Sequence, residues 1–179
     1  YALGVSIMRS LMPFGLNEKE LTWVQQGMED GMAGELEINP TPYEAKIQKL
    51  ADSRVERVIE AQNKLAANRI AKEASMPGAQ VLESGLIYRS IKEGTGTSPR
   101  RTSLVTVHYR GTLVDGTEFD SSYSRSEPTN FPLDQVIPCW TQGLSLMKAG
   151  GKAHLVCPAP IAYGAQGAPP AIPPGATLF

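Results

Sequence analysis

Tyr109, Phe119 and Asp120 are the residues whose types and spacing first suggest chemistry in this chain. Val105, Val107 and Tyr109 alternate with Thr106, His108 and Arg110, which is the period of a strand with one buried face. Asp115-Gly116 supplies the positive backbone dihedral of a tight turn, so Thr117 onward returns antiparallel and brings Phe119 and Asp120 near Tyr109. Two rings and a carboxylate look more like the wall of a pocket than plain core, but the pattern alone does not decide between them.

Other chemistries lack their residues. The stretch GLSLMKAGGKA lacks the spacing of a phosphate loop, and no Gly-x-Gly-x-x-Gly follows a strand. With only His108 and His154, and with Cys139 far from Cys157 in sequence, neither a zinc cluster nor a Cys-x-x-Cys redox motif can be assembled. No metal and no cofactor is therefore expected. His108 should alternate away from the Tyr109 face, as a surface or hydrogen-bonding strand residue. What stands out is aromatic and aliphatic: Tyr109, Phe119, Phe131, Val136, Ile137, Trp140, Tyr163 and Ile172, with Asp120 the obvious charge among them. Any one of these taken alone reads as ordinary core.

Elements must position these residues, and the two halves of the chain differ in kind. The 179 residues allow one large domain or two small ones. Apolar content of 41%, charged content of 20% and a net charge of -1 describe a soluble globular chain with no reason to bind nucleic acid or an anionic membrane. No apolar run is long enough for a transmembrane segment, and the chain opens on Tyr1 without an initiator Met or a basic-then-apolar leader. Residues 41 to 75 read as one long helix, in which Thr41 and Glu44 match a capping box and Pro42 suits the first turn. Tyr43, Ile47, Leu50, Val55, Val58, Ile59, Leu65 and Ile70 form its apolar stripe, and the intervening charges form a solvated face. Upstream, Leu3, Ile7, Met8, Leu11 and Met12 suggest a short helix, and Asn17 with Glu20 makes a capping box before another.

Residues 1 to 78 are thus expected to be all helical, and too thin to bury their own apolar stripe. They would pair with a second copy through residues 1 to 76, with Met8, Met12, Met28 and Met32 as adaptable interface side chains. An intrachain role for these methionines stays open. From residue 79 the texture changes to short alternating runs, with strands expected at 86 to 92, 104 to 113, 117 to 120 and 152 to 157. One short helix is expected near Trp140 to Met147. The fold class is α+β.

The ordered blocks SGLIYRSIKEGTG, VTVHYRGTLVDGTEFDSSYSR, FPLDQVIPCWTQGLSLMKAGGK and IAYGAQGAPPAIPPGATLF together resemble the FKBP family of peptidyl-prolyl cis-trans isomerases. The helices before them, opening YALGVSIMRSLM, make the whole similar to the bacterial Mip/FkpA-type members, which are dimers joined by their N-terminal halves. The resemblance implies an antiparallel sheet wrapped around a short helix, with an apolar pocket between. It makes Trp140 the pocket floor, Tyr109, Phe119, Phe131 and Val136 its sides, and Ile137 a donor of its backbone N–H. It aims the Tyr163 hydroxyl at a bound carbonyl and sets Asp120 at the rim, paired with Arg125; a purely structural Asp120–Arg125 ion pair is the plain alternative. Ile172 would belong to the same substrate site.

The implied activity is rotation of X-Pro bonds in proline-containing polypeptides, with macrolides such as rapamycin as inhibitors. Cys139 and Cys157 depart from the family pattern and fall in elements that its fold packs together, so a disulfide and two buried free thiols are both open. A disulfide would fit the setting the resemblance suggests: periplasmic, outer-membrane associated or secreted, in a Gram-negative bacterium. Against the same pattern, Ala168 and Ala171 replace bulkier residues in the loop over the pocket, and Phe179 falls within the last strand. The alternative to an enzyme is a dimeric chaperone that holds unfolded chains with little turnover; a Mip-like role in virulence is a weaker idea, carried by no residue.

Overall fold

The computed structural model describes residues 1–11 and 14–179. It divides into two compact units, Tyr1–Val58 and Ile59–Phe179. Among the described residues no helix is long and apolar enough to cross a membrane.

The first unit contains helix α1 (Ala2–Leu11), helix α2 (Glu18–Ala33), a 3-10 turn at Thr41–Tyr43 and the start of helix α3 (Glu44–Ala74). The box expected at α2 is formed: Asn17 Oδ1 accepts from the Glu20 N–H at 2.9 Å, and Glu20 accepts from the Asn17 N–H at 3.0 Å. Glu20 also receives Arg54 of α3 at 2.6 Å, and a second Arg54 nitrogen donates to the carbonyls of Phe14 and Gly15. The box expected at Thr41 is not formed. Thr41–Tyr43 make a 3-10 turn with no side-chain cap, because the Asn39 carboxamide takes the Thr41 N–H, and the α-helix proper starts at Glu44. No apolar side chain described in this unit is buried; Trp23, Met28, Met32 and Ile47 all lie exposed. Met12 lies outside the described residues.

The second unit holds the rest of α3, then β1 (Ala79–Val81), β2 (Ile87–Lys92), β3 (Leu104–Val107), β4 (Arg110–Thr112), β5 (Glu118–Ser121), β6 (Thr129–Pro132), helix α4 (Pro138–Ser145) and β7 (Lys152–Val156). All strand pairs are antiparallel, in the orders β1-β2-β7, β3-β6 and β4-β5. The class is α+β, as the alternation indicated. Two short strands, β1 and β6, carried too few alternating residues to be read from sequence. The expected strand 104 to 113 is two strands interrupted at His108 and Tyr109, and the expected helix starts earlier, at Pro138.

Two apolar clusters hold this unit together. Leu86, Cys139, Cys157, Ile172, Ala176 and Leu178 are buried as one, with Phe119, Ile137 and Leu155 packed against them. Ile87, Val156 and Phe179 form the other, against Ile70 and Ala74 in the last turns of α3. Arg69 of α3 lies 3.7 Å over the Phe179 ring and donates to the carbonyls of Leu113 and Val114, so its charge is spent on cation–π and backbone contacts.

Candidate active site

The interruption between β3 and β4 sets the geometry of the site. Ser122, fully buried, accepts the Tyr109 N–H on its hydroxyl at 2.8 Å and returns its own N–H to the Tyr109 carbonyl at 3.0 Å. Both backbone groups of Tyr109 are thereby satisfied although the residue belongs to no strand, and a buried amide left unpaired would cost about 1–3 kcal/mol. His108, the next residue back, is exposed, stacked on Tyr123 with centroids 4.8 Å apart and with its Nδ1 3.1 Å from the Ser122 hydroxyl.

Three rings meet edge to face. Tyr109 lies 4.9 Å from Trp140 at 79°, Phe131 lies 5.2 Å from Trp140 at 88°, and Tyr109 lies 5.8 Å from Phe131 at 64°. Each comes from a different element: the β3–β4 break, β6 and α4. Edge-to-face pairs are worth about 0.5–1.5 kcal/mol beyond their buried area, so the triad resists collapse onto itself. Phe119 stands beside it on β5, where its neighbour Asp120 pairs across with Gly111 of β4.

At the rim the polar groups close a triangle. The Tyr109 hydroxyl donates to Asp120 Oδ2, Arg125 donates to Asp120 Oδ1 at 2.6 Å, and the other end of the guanidinium donates to the Tyr109 oxygen at 2.8 Å. Burial pushes the Asp120 carboxyl up, but the hydrogen bonds from Tyr109 and Arg125 outweigh it and leave the group below its ordinary value. Burial first, and the bond to Asp120 second, push the Tyr109 hydroxyl above its own. Asp120 is thus an anion and Tyr109 a neutral donor throughout the neutral range. The Asp120 and Arg125 side chains stay 42% and 43% exposed, so the pair adds little to stability, while its two ends hold the Tyr109 hydroxyl in place.

A cavity of about 2120 Å³ is lined by Tyr109, Phe119, Asp120, Phe131, Val136, Ile137, Trp140 and Tyr163. It continues along β3 and β7, so the aromatic part is one end of a longer trough. The Ile137 N–H, just before α4, has no partner among the described residues. Arg125 reaches the site through the triangle and is not part of the cavity wall. Ile172 is placed differently from the sequence expectation: it is 4% exposed, packed in the core with Cys139 and Cys157 and bonded through its backbone to Ala168, behind the wall. Cys139 and Cys157 are joined in a disulfide. Ser122 and Gly111 were missed, although both stand in the blocks that carry the resemblance; no residue-type signal separates a positioning serine from a turn serine. Among the described residues no group of His, Cys, Asp and Glu gathers as metal ligands would.

The pocket is thus walled by rings packed edge to face, with a neutral phenol held by an ion pair at its mouth. Comparison with known proteins gives the chain its family. Residues 95–179 match the family model for FKBP-type peptidyl-prolyl cis-trans isomerase, and residues 1–89 match that for the domain amino-terminal to it. The chain is 38% identical to the FKBP-type peptidyl-prolyl cis-trans isomerase FkpA of Aeromonas hydrophila, over 99% of this chain and 71% of the relative. It is 36% identical to the outer membrane protein MIP of Legionella longbeachae, over 100% of this chain and 80% of the relative. The crystal structure of FkpA from Escherichia coli superposes with a TM-score of 0.73 at 34% identity, covering 99% of this chain and 89% of that one. The chain belongs to the FKBP-type peptidyl-prolyl cis-trans isomerases and is an enzyme of that class, acting on proline-containing polypeptides.

Proposed function

We propose that the cleft among Tyr109, Phe119, Phe131, Val136, Ile137, Trp140 and Tyr163 is where an X-Pro bond is rotated. The observation that carries the reading is the edge-to-face triad of Tyr109, Phe131 and Trp140 closed at its rim by Asp120 and Arg125. Rotation breaks amide resonance, with a barrier of about 18–20 kcal/mol, but makes and breaks no covalent bond. The site therefore needs only to bind the twisted amide better than either planar form. The twisted carbonyl is less polar and less dependent on water, so an apolar cleft favours it over the hydrated planar amide. Lowering the barrier by about 4–5.5 kcal/mol gives three to four powers of ten in rate. The proline ring packs on Trp140 between Tyr109 and Phe131, the Ile137 N–H and Tyr163 hydroxyl bind flanking carbonyls, and Asp120 orients Tyr109 without transferring a proton. Ile172 supports the wall from behind.

The helical part, residues 1 to 78, pairs two copies, and the isomerase domain occupies 79 to 179. The uncovered apolar side chains of the first unit, Met28, Met32 and Trp23 among them, support the pairing. The disulfide and the relative named as an outer membrane protein support a place in the Gram-negative envelope, periplasmic, outer-membrane associated or secreted.

The test is the cis-to-trans rate of short X-Pro peptides with and without rapamycin. Acceleration that rapamycin abolishes, and that falls sharply in Trp140→Ala, is expected. A folded protein that accelerates nothing would sink the reading.

A further inference from the structure

Helix α4 carries the pocket floor, yet it is only eight residues long and has no side-chain cap at its start. Two turns of helix do not hold themselves together in water, so contacts with the rest of the domain must set where α4 lies and how it is rotated. Two of them share one face. Cys139 and Gly143 are four residues apart on the helix, and both are buried. Opposite them, Leu155 and Cys157 are two residues apart along β7 and its end, hence also on one face. Gly143 packs so tightly on Leu155 that a Cβ there would lie 2.7 Å from its side chain, and Cys139 is bonded to Cys157.

These two points act differently. The Gly143 contact fixes the distance of α4 from β7 but, being a glycine against a flexible leucine, offers little resistance to rotation about the helix axis. The disulfide, one turn away, supplies that resistance. Trp140 follows Cys139 and projects about 100° further round the axis. A small rotation of the first turn therefore swings the indole against Tyr109 and Phe131, which meet it at 79° and 88°. The same turn begins at Ile137, which lines the cavity and whose N–H has no partner among the described residues, so the rotation moves both an apolar and a polar group. The cluster around the disulfide includes Phe119 and Ile137, which transmits the constraint to a second pocket wall.

We propose that the Cys139–Cys157 disulfide is a positioning element for the isomerase, fixing the rotation of α4 so that Trp140 is held at the angle that closes the pocket. The inference rests on the pocket being the site of isomerisation. Both sulfurs are buried, Cys139 at 0% and Cys157 at 3% exposure, so the bond is a fixed strut shielded from solvent.

The experiment uses the full chain in a Trp23→Phe background, where Trp140 is the single remaining tryptophan of the two. The disulfide is removed in two ways, as Cys139→Ala with Cys157→Ala and as Cys139→Ala with Cys157→Val, the second refilling the core. Trp140 fluorescence anisotropy, far-UV circular dichroism and kcat/KM on an X-Pro peptide are compared with the bonded parent. The expected result is unchanged secondary structure, faster Trp140 motion and a fall in kcat/KM of about fivefold or more, the size that slight misplacement of a site group produces. A folded, disulfide-free variant with parental anisotropy overturns the proposal, whatever its rate, as does one with parental kcat/KM. So does failure of both variants to fold, which would make the bond a staple for the whole domain. A bonded parent that accelerates nothing overturns the isomerase reading instead, while the anisotropy still reports whether the bond holds Trp140.

Discussion

Gly111 lies against the face of the Phe119 ring so closely that a methyl group on its Cα would penetrate the ring. The contact crosses from β4 to β5 beside a shift in strand register between Gly111 and Thr112. Gly111→Ala therefore should not strain the backbone; it should push the Phe119 ring toward the cleft. Overpacking of this kind costs about 1–3 kcal/mol. We expect kcat/KM to fall about tenfold with a modest drop in Tm, and a variant with parental kinetics would show that Phe119 is not a working wall of the pocket.

Trp140 and Asp120 separate two accounts of catalysis. If exclusion of water from the twisted amide is the lever, removing the floor with Trp140→Ala should cost about a hundredfold in kcat/KM, roughly 2.7 kcal/mol. Asp120→Asn keeps the shape of the rim and an acceptor for the Tyr109 hydroxyl, so it should cost under about tenfold. The reverse order, with Asp120→Asn the more damaging, would move the argument from desolvation to a field effect of the carboxylate.

No proton moves in the proposed reaction, and the two titrating groups at the rim are shifted out of the neutral range in opposite directions. Asp120 has a lowered value, so the contribution of its ionised form is present at neutral pH and is lost only as pH falls through that value, below the ordinary carboxylate range near about 3.9. Tyr109 has a raised value and stays protonated beyond about pH 10. The profile of kcat/KM between about pH 5.5 and 9 should be flat. A bell shape in that window would require a general acid or base and contradict the mechanism.

Most of the candidate site was legible as a cluster because the hairpin's turn, Asp115-Gly116, and the alternation of Val105 to Tyr109 are local signals. The family resemblance then supplied the partners from β6 and α4 that no local pattern could bring to Tyr109. What stayed hidden is what depends on long-range packing. Ile172 is apolar in a proline-rich loop, and nothing in its type tells a pocket wall from the core behind it. The strand break at Tyr109 is stabilised by Ser122, whose hydroxyl has the same sequence signature as that of any turn serine. At Thr41 a capping pattern was present and unused, because Asn39 reached the same N–H first.

The exposed methionines of the first unit give a test of pairing that leaves the pocket untouched. Met28 and Met32 are four residues apart on α2, 44% and 83% exposed, and so lie on one face of the helix. Met28→Glu with Met32→Glu should convert a dimer to a monomer in sedimentation while kcat/KM on a short peptide stays within about twofold, since charge in the core of an interface is strongly disfavoured. A dimer that survives both substitutions would place the interface on another face.

His154 should make the domain lose stability on mild acidification. It stands on β7 facing Glu73 of α3 and Arg89 of β2, with its Nε2 3.5 Å from Glu73 Oε2 and Arg89 Nη2 3.6 Å from the same oxygen. Neither contact is a hydrogen bond, and Glu73 Oε2, Arg89 Nε and His154 Nε2 have no hydrogen-bond partner among the described residues. Burial lowers the His154 value; Glu73 pulls it up, while Arg89 and Arg69 push it down again. The ion-pair distance alone would argue the opposite, but Arg89 already opposes the charge of Glu73, so the lowering prevails. A folded-state value below the unfolded one means that the unfolded chain takes up the proton first. Stability is then full above about pH 6.5, declines as pH falls from there toward the folded value, and levels off below it. Tm measured from about pH 7.5 to 5 should fall in the parent and stay flatter in His154→Gln. A parent that gains stability over this range would show that the attraction of Glu73 exceeds the cost of burying the charged ring.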